Sequence, residues 1–247
     1  MKVGMYSGGA ASHVACMKAK PDALLFADTG EEMPELYDFI YAGAKSLGIP
    51  LYIVGIDGGM DACITIHRAI PSSRLPFCSM DLKIKPCMNW LKENAPGATV
   101  VIGYTWDEMV RIPKTVVNYE KKGFTCEFPL AGRPYLSKES IIQICKDEGL
   151  PIQSLYEKGM NHNNCGGACV KAGISQWTWL YHNDRPRFDK WIEREKRISD
   201  IHGKPCSVLK RYKRTYPLTE LAQSIQNQEV LPDSEWGGCG CFTGDAL

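Results

Sequence analysis

The chain has 247 residues, with 29 Lys and Arg against 28 Asp and Glu. That length suits one large α/β domain or a core domain with a small appendage, and the near-zero charge gives no general attraction for nucleic acid or anionic membranes. No apolar run approaches the roughly 20 residues of a bilayer span, and the start lacks a signal-like segment, so a cytoplasmic protein without a membrane partner is expected. Its 11 cysteines fit a reducing compartment and metal or catalytic thiols better than a disulfide framework.

Lys2 to Tyr6 reads as a short buried strand and Ser12 to Met17 as the opening of a helix. Between them lies SGGAAS, Ser7 to Ser12. Gly8 and Gly9 permit positive φ and close approach of a ligand, and the helix start offers unpaired N–H groups, which suits phosphate or sulfate. The plainer alternative is a tight turn with Ser12 as a cap. A second strand, Ala23 to Asp28, ends in ADTGEE. Asp28 and Thr29 stand where a ribose hydroxyl is bound in such folds, with Gly30 easing the turn; the alternative is a polar loop capping the next helix.

A helix is expected over Glu35 to Leu47, ended by Gly48 and Pro50, then a strand from Leu51 to Ile56. Met80 to Asn94 reads as a helix, Thr99 to Tyr104 as a strand, and Lys138 to Glu148 as a helix capped by Ser137 and stopped by Gly149 and Pro151. This alternation predicts an α/β fold with a mainly parallel sheet, flanking helices, and ligands beyond the strands' carboxyl ends. Residues 1–160 form the expected nucleotide-binding core. Residues 161–247 form a helical, cysteine-bearing extension integrated with it.

In that extension Phe188, Trp191, Ile192 and Ile198 have the spacing of a packing face. LKRYKRTYP, Leu209 to Pro217, mixes cations with tyrosines, which allows nucleic-acid contact but more often marks solvated surface. His162 is a candidate metal ligand or a loop histidine. Cys78 and Cys87 are separated by eight residues, Cys165 and Cys169 by three, and the pairs by 77. Two such pairs can converge on one sulfur site, either zinc or an iron–sulfur cluster, the alternative being unligated buried thiols. Cys16, Cys63, Cys126, Cys145 and Cys206 read as core or surface thiols. The tail carries Cys239 and Cys241 among glycines, a composition that would let the thiols reach a bound nucleotide.

SGGAAS and DTG in this order resemble the phosphoadenosine phosphosulfate reductase family of the adenine nucleotide alpha-hydrolase group, in which the first loop is called the PP-loop. LPFCSMDLKIKPCMNWL, GYTWDEMVR and the LPIQSLYEKGMNHNNCGGACVKAGISQW region extend the likeness, and SGGAAS with a terminal GGCGCF is similar to a subgroup common in bacteriophages and mobile elements. The resemblance implies an adenine nucleotide held by Ser7, Gly8, Gly9, Ser12, Asp28, Thr29 and Gly30. It also implies a [4Fe–4S] cluster, with zinc as the alternative, on Cys78, Cys87, Cys165 and Cys169. The chain departs from the family pattern at Ala10 and Ala11, where a lysine and an acidic residue are usual, and at Thr105 and Trp106, where an arginine pair is usual. Lys83, Lys85 and Arg111 are the cations left to meet a phosphate.

The implied reaction is reduction of adenylylsulfate or its 3′-phosphorylated form to sulfite. Cys239 or Cys241 would act as nucleophile, with a thioredoxin-like reductant and a possible homo-oligomer. The alternatives are an ATP-dependent iron–sulfur sulfurtransferase acting on a nucleic acid or small molecule, and a regulatory nucleotide- or metal-binding module without turnover.

Overall fold

The computed structural model describes residues 1–158 and 164–229. Five parallel strands form its sheet: β1 (Lys2–Met5), β2 (Ala23–Ala27), β3 (Leu51–Val54), β4 (Thr99–Val101) and β5 (Thr125–Glu127), in the order β3-β2-β1-β4-β5. β1 is central, with Val3 opposite both Ala23 and Val100. The chain builds outward from β1 to β3, then returns to the other side for β4 and β5, so strand order reverses between β1 and β4. All five residues of β2 are buried, as expected for a strand covered on both faces. The edge strand β3 leaves Tyr52 and Ile53 exposed.

α1 (Ala10–Ala19) follows β1, and α2 (Pro34–Leu47) follows β2 and ends at a left-handed Gly48, as its sequence predicts. α3 (Gly59–His67) follows β3. The helix expected over 80–94 is a composite: α4 (Phe77–Ser79), a π-helical turn over Met80–Ile84, and α5 (Lys85–Asn94). Pro86 stands at the start of α5 with no N–H to give, and the turn before it is the widened one. A 3₁₀ turn (Trp106–Arg111) runs into α6 (Ile112–Glu120), and α7 (Lys138–Asp147) begins where the Ser137 hydroxyl accepts the Ser140 N–H at 3.1 Å.

The remaining elements are α8 (Ser154–Glu157), a 3₁₀ turn (Asn164–Gly167), α9 (Ile174–Asn183), α10 (Arg185–His202), the hairpin β6 (Leu209–Arg211) and β7 (Arg214–Tyr216), and α11 (Leu218–Gln226). Tyr212 and Lys213 at the hairpin tip both have positive φ, which a two-residue primed turn requires. The expected packing face of α10 is real: Phe188, Trp191 and Ile198 are buried and Ile192 packs beside them. Trp177 of α9 meets Trp191 edge-on at 5.6 Å. This core also takes Met60, Cys63 and Ile64 from α3 and Phe77 and Cys78 from α4, so the helical extension and the sheet domain share a core. No helix among the described residues is long and apolar enough to cross a membrane.

Candidate nucleotide site

The loop after β1 is shaped by two close approaches. Gly8 has a φ of 76°, and a Cβ there would meet Leu36 at 2.9 Å. Gly9 is extended and caps α1 without a side chain. Ser12 is turned inward, its hydroxyl donating to the Gly9 carbonyl at 2.7 Å, and Gln153 donates to the Gly8 carbonyl at 2.7 Å. The oxygen of Tyr156 accepts from the Ala10 N–H, and burial pushes its phenol up to about 12. Gly103, just after β4, lets α1 approach: a Cβ there would lie 2.8 Å from Ser12 Cα. The first helical turn is therefore seated against the point where strand order reverses, with its N–H groups toward the strands' carboxyl ends.

Beside it, the loops after β2 and β3 border an open cleft of about 510 Å³, lined by Asp28, Gly30, Ile56, Gly58, Met60 and Lys190 among others. Asp28 closes its own turn, accepting the Gly30 N–H and the Tyr37 hydroxyl, each at 2.8 Å. Thr29 is buried and donates to Glu32 at 3.0 Å, so its hydroxyl secures the loop instead of facing the cleft. Glu32 in turn accepts the Cys165 N–H at 2.8 Å. Of the seven loop residues expected to hold a nucleotide, Asp28 and Gly30 line the cleft; Ser7, Gly8, Gly9 and Ser12 belong to the neighbouring loop, and Thr29 supports from beneath.

A buried ionic network was not legible in the motifs. Arg194 of α10 is 2% exposed and makes paired bonds to Glu31, at 2.9 and 2.7 Å, and to Asp61, at 3.0 and 2.6 Å. Lys190 approaches Glu31 at 3.2 Å. Hydrogen bonds from Arg194 hold the Asp61 carboxyl below its ordinary range. Burial alone would weaken the Arg194 charge, but Glu31 and Asp61 override it and raise its pKa. Arg187 adds a bond to the Glu31 carbonyl at 2.6 Å and would collide with any side chain at Gly166. The available signal was two charges, Arg194 and Glu195, inside the stripe from Trp191 to Ile198, where solvent would not compensate them.

None of the three expected phosphate cations lines the cleft. Lys83 is buried, with its ammonium 3.8 Å from Glu32, and Arg111 pairs with Glu108 while lying 4.2 Å over the Tyr104 ring. Lys85 is exposed and holds Asp81 at 2.6 Å.

The four cysteines expected to share a metal are carried by separate parts of the fold. Cys78 and Cys169 belong to the core between α3 and α9–α11, whereas Cys87 belongs to the core under β1 and β4, where burial pushes its thiol up to about 12. The run from Cys78 to Cys87 passes through the π-helical turn over Met80–Ile84. Cys165 to Gly167 do curl in the left-handed region, as the glycines allow. Among the described residues, the donors gathered within 4.8 Å of one another, the spacing of ligands around a single ion, are Cys63, His67 and Asp81. Cys239, Cys241 and His162 lie outside the described residues.

A parallel five-stranded sheet with a glycine loop and helix start at its switch point defines an α/β nucleotide-binding fold of PP-loop type. A family model of the phosphoadenosine phosphosulfate reductase domain matches residues 2–173, and the chain belongs to that family. It is similar to phosphoadenylyl-sulfate (PAPS) reductase from Candida auris, whose crystal structure as a phosphate complex superposes with a TM-score of 0.50 at 18% identity, covering 66% of this chain and 80% of that one. At that identity the likeness bears on the fold. No curated protein sequence matches.

Proposed function

We propose that this chain is a sulfonucleotide reductase that binds adenylylsulfate or its 3′-phosphorylated form and releases sulfite. The observation that carries this reading is the family domain over residues 2–173, whose first two loops end adjacent parallel strands beside one cleft. In this reading the sulfate end lies at the start of α1, where backbone N–H groups and the helix dipole favour an anion without a lysine. The nucleoside lies toward Asp28 and Gly30.

The thiolate of Cys239 or Cys241 attacks the sulfate sulfur and breaks its bond to the phosphate oxygen, giving a cysteine S-sulfonate and AMP or its 3′-phosphate. One thiolate of a dithiol reductant of the thioredoxin class then attacks the cysteine sulfur and expels sulfite with the electron pair, and the reductant's second thiolate breaks the resulting mixed disulfide, freeing the cysteine and leaving the reductant as a disulfide. Because Arg111 and Lys83 already face carboxylates, adenylylsulfate is favoured over the 3′-phosphorylated form.

The test is peptide mass spectrometry on anaerobically purified protein incubated with each sulfonucleotide, with ATP as control. A sulfonate on Cys239 or Cys241 that thioredoxin removes is expected. No adduct from either compound refutes the mechanism, and conversion of ATP to AMP and pyrophosphate would instead support an ATP-dependent sulfurtransferase.

A further inference from the structure

We propose that Cys63, His67 and Asp81 form a binding site for a divalent cation of the zinc class, with solvent as fourth ligand. None of the three belongs to the loops assigned to the nucleotide. Cys63 and His67 are four residues apart on α3, which puts them one above the other on one helix face. Asp81 comes from the π-helical turn packed against that face.

The three donor atoms lie within 4.8 Å of one another. One carboxylate oxygen, Asp81 Oδ2, faces both partners, at 2.5 Å from His67 Nε2 and 4.0 Å from Cys63 Sγ. Ligands around tetrahedral zinc stand about 3.5 Å apart at bond lengths of about 2.0–2.3 Å, so an ion can enter by opening the first distance and closing the second. Sulfur, imidazole nitrogen and carboxylate oxygen together favour zinc over magnesium or calcium.

The surroundings hold these donors in place. Lys85 binds the other carboxylate oxygen, Oδ1, at 2.6 Å, which leaves Oδ2 for the site. Phe77 stacks on the His67 ring, with centroids 4.1 Å apart and planes 25° from parallel. Such outer contacts orient ligands in metal sites. Cys63 is buried while the His67 side chain is 37% exposed, which gives the ion an entry side and room for a water. Sulfur ligates as thiolate, so binding of the ion releases the Cys63 thiol proton. The consequence for the fold is a clasp. It would fasten the far end of α3, whose near end lines the cleft with Gly59, Met60 and Asp61, to the turn that carries Lys83.

The experiment is a cobalt(II) titration of the whole chain, stripped of metal and kept reduced under argon, read by thiolate-to-cobalt charge transfer and visible d–d absorption. The parent protein is expected to develop both bands. Cys63→Ser should lose the charge-transfer band assigned to this site, and His67→Asn and Asp81→Asn should each weaken binding by about 10- to 100-fold. Cys78→Ser should leave that spectrum unchanged. A Cys63→Ser spectrum equal to the parent's, no cobalt bands in the parent, or loss of the bands in Cys78→Ser alone would overturn the proposal. If Cys63→Ser does not fold, His67→Asn, altered at a partly exposed side chain, decides: unchanged affinity there overturns the site.

Discussion

Replacing Arg194 by Met tests whether α10 is locked onto the cleft by charge. The substitution keeps a long, flexible side chain but removes every bond from the guanidinium to Glu31 and Asp61. Asp61 has a 42% exposed side chain and recovers solvation, so little is lost there. Glu31 is 4% exposed and, among the described residues, keeps the ammonium of Lys190, itself half exposed, as its one cationic partner. Breaking a buried pair costs about 3–5 kcal/mol, and the remaining lysine places the expected loss near about 3 kcal/mol. For a chain of this size that corresponds to a fall in Tm of roughly 6–12 °C.

Urea unfolding followed by circular dichroism measures it, with an unchanged m-value as the condition for reading the midpoint as stability. Adding Glu31→Gln removes the orphaned charge, so the double variant should lose less than the single losses together by about 1–3 kcal/mol. A single loss below about 1 kcal/mol, or additivity within about 0.5 kcal/mol, would refute the view that this pair holds α10 in place.

Glu195 is buried and accepts the N–H groups of Val208 and Leu218, yet burial outweighs them and raises its pKa from 4.5 to about 7. With the folded value above the unfolded one, its contribution is complete below about pH 4.5 and disappears as pH rises through 7, about 3 kcal/mol in all. Between pH 5.5 and 8.5 the parent's stability should fall more steeply than that of Glu195→Gln, and parallel profiles would contradict the assignment. Gly103→Ala places a methyl 2.8 Å from Ser12 Cα; it should cost about 1–3 kcal/mol and weaken nucleotide binding by calorimetry. Lys213→Gly relieves a side chain held at φ 64° in the hairpin tip and should raise stability by about 0.5–1 kcal/mol in the same urea assay.

Much of the sheet was readable because its strands are short apolar runs ended by glycine or aspartate. Ala23 to Ala27 and the loop after Met5 are examples. β5 was not readable: Thr125–Glu127 is a three-residue edge strand carrying a charge, with no periodicity to detect. α3 was hidden by Gly58 and Gly59 at its start, both of which adopt positive φ. At the site, the turn chemistry of Asp28 and Gly30 follows from local residue types, and so does the left-handed curl of Cys165 to Gly167. The Glu31–Arg194 pair spans 163 positions and leaves no local pattern. The four cysteines were grouped from spacing, which carries no information on the cores they enter: Cys78 and Cys169 lie in one and Cys87 in another.

The core shared by α3, α4 and α9–α11 bears on where this protein can be divided. The family domain ends at residue 173, but Trp177, Phe188 and Trp191 supply the large side chains against which Met60 and Ile64 are packed. A fragment stopping at 173 would keep every strand of the main sheet, leave Glu31 without its guanidinium, and open an oily wall beside the cleft. Such a fragment should be sticky and poorly folded. The stretch that the family model matches is thus shorter than the core into which it packs.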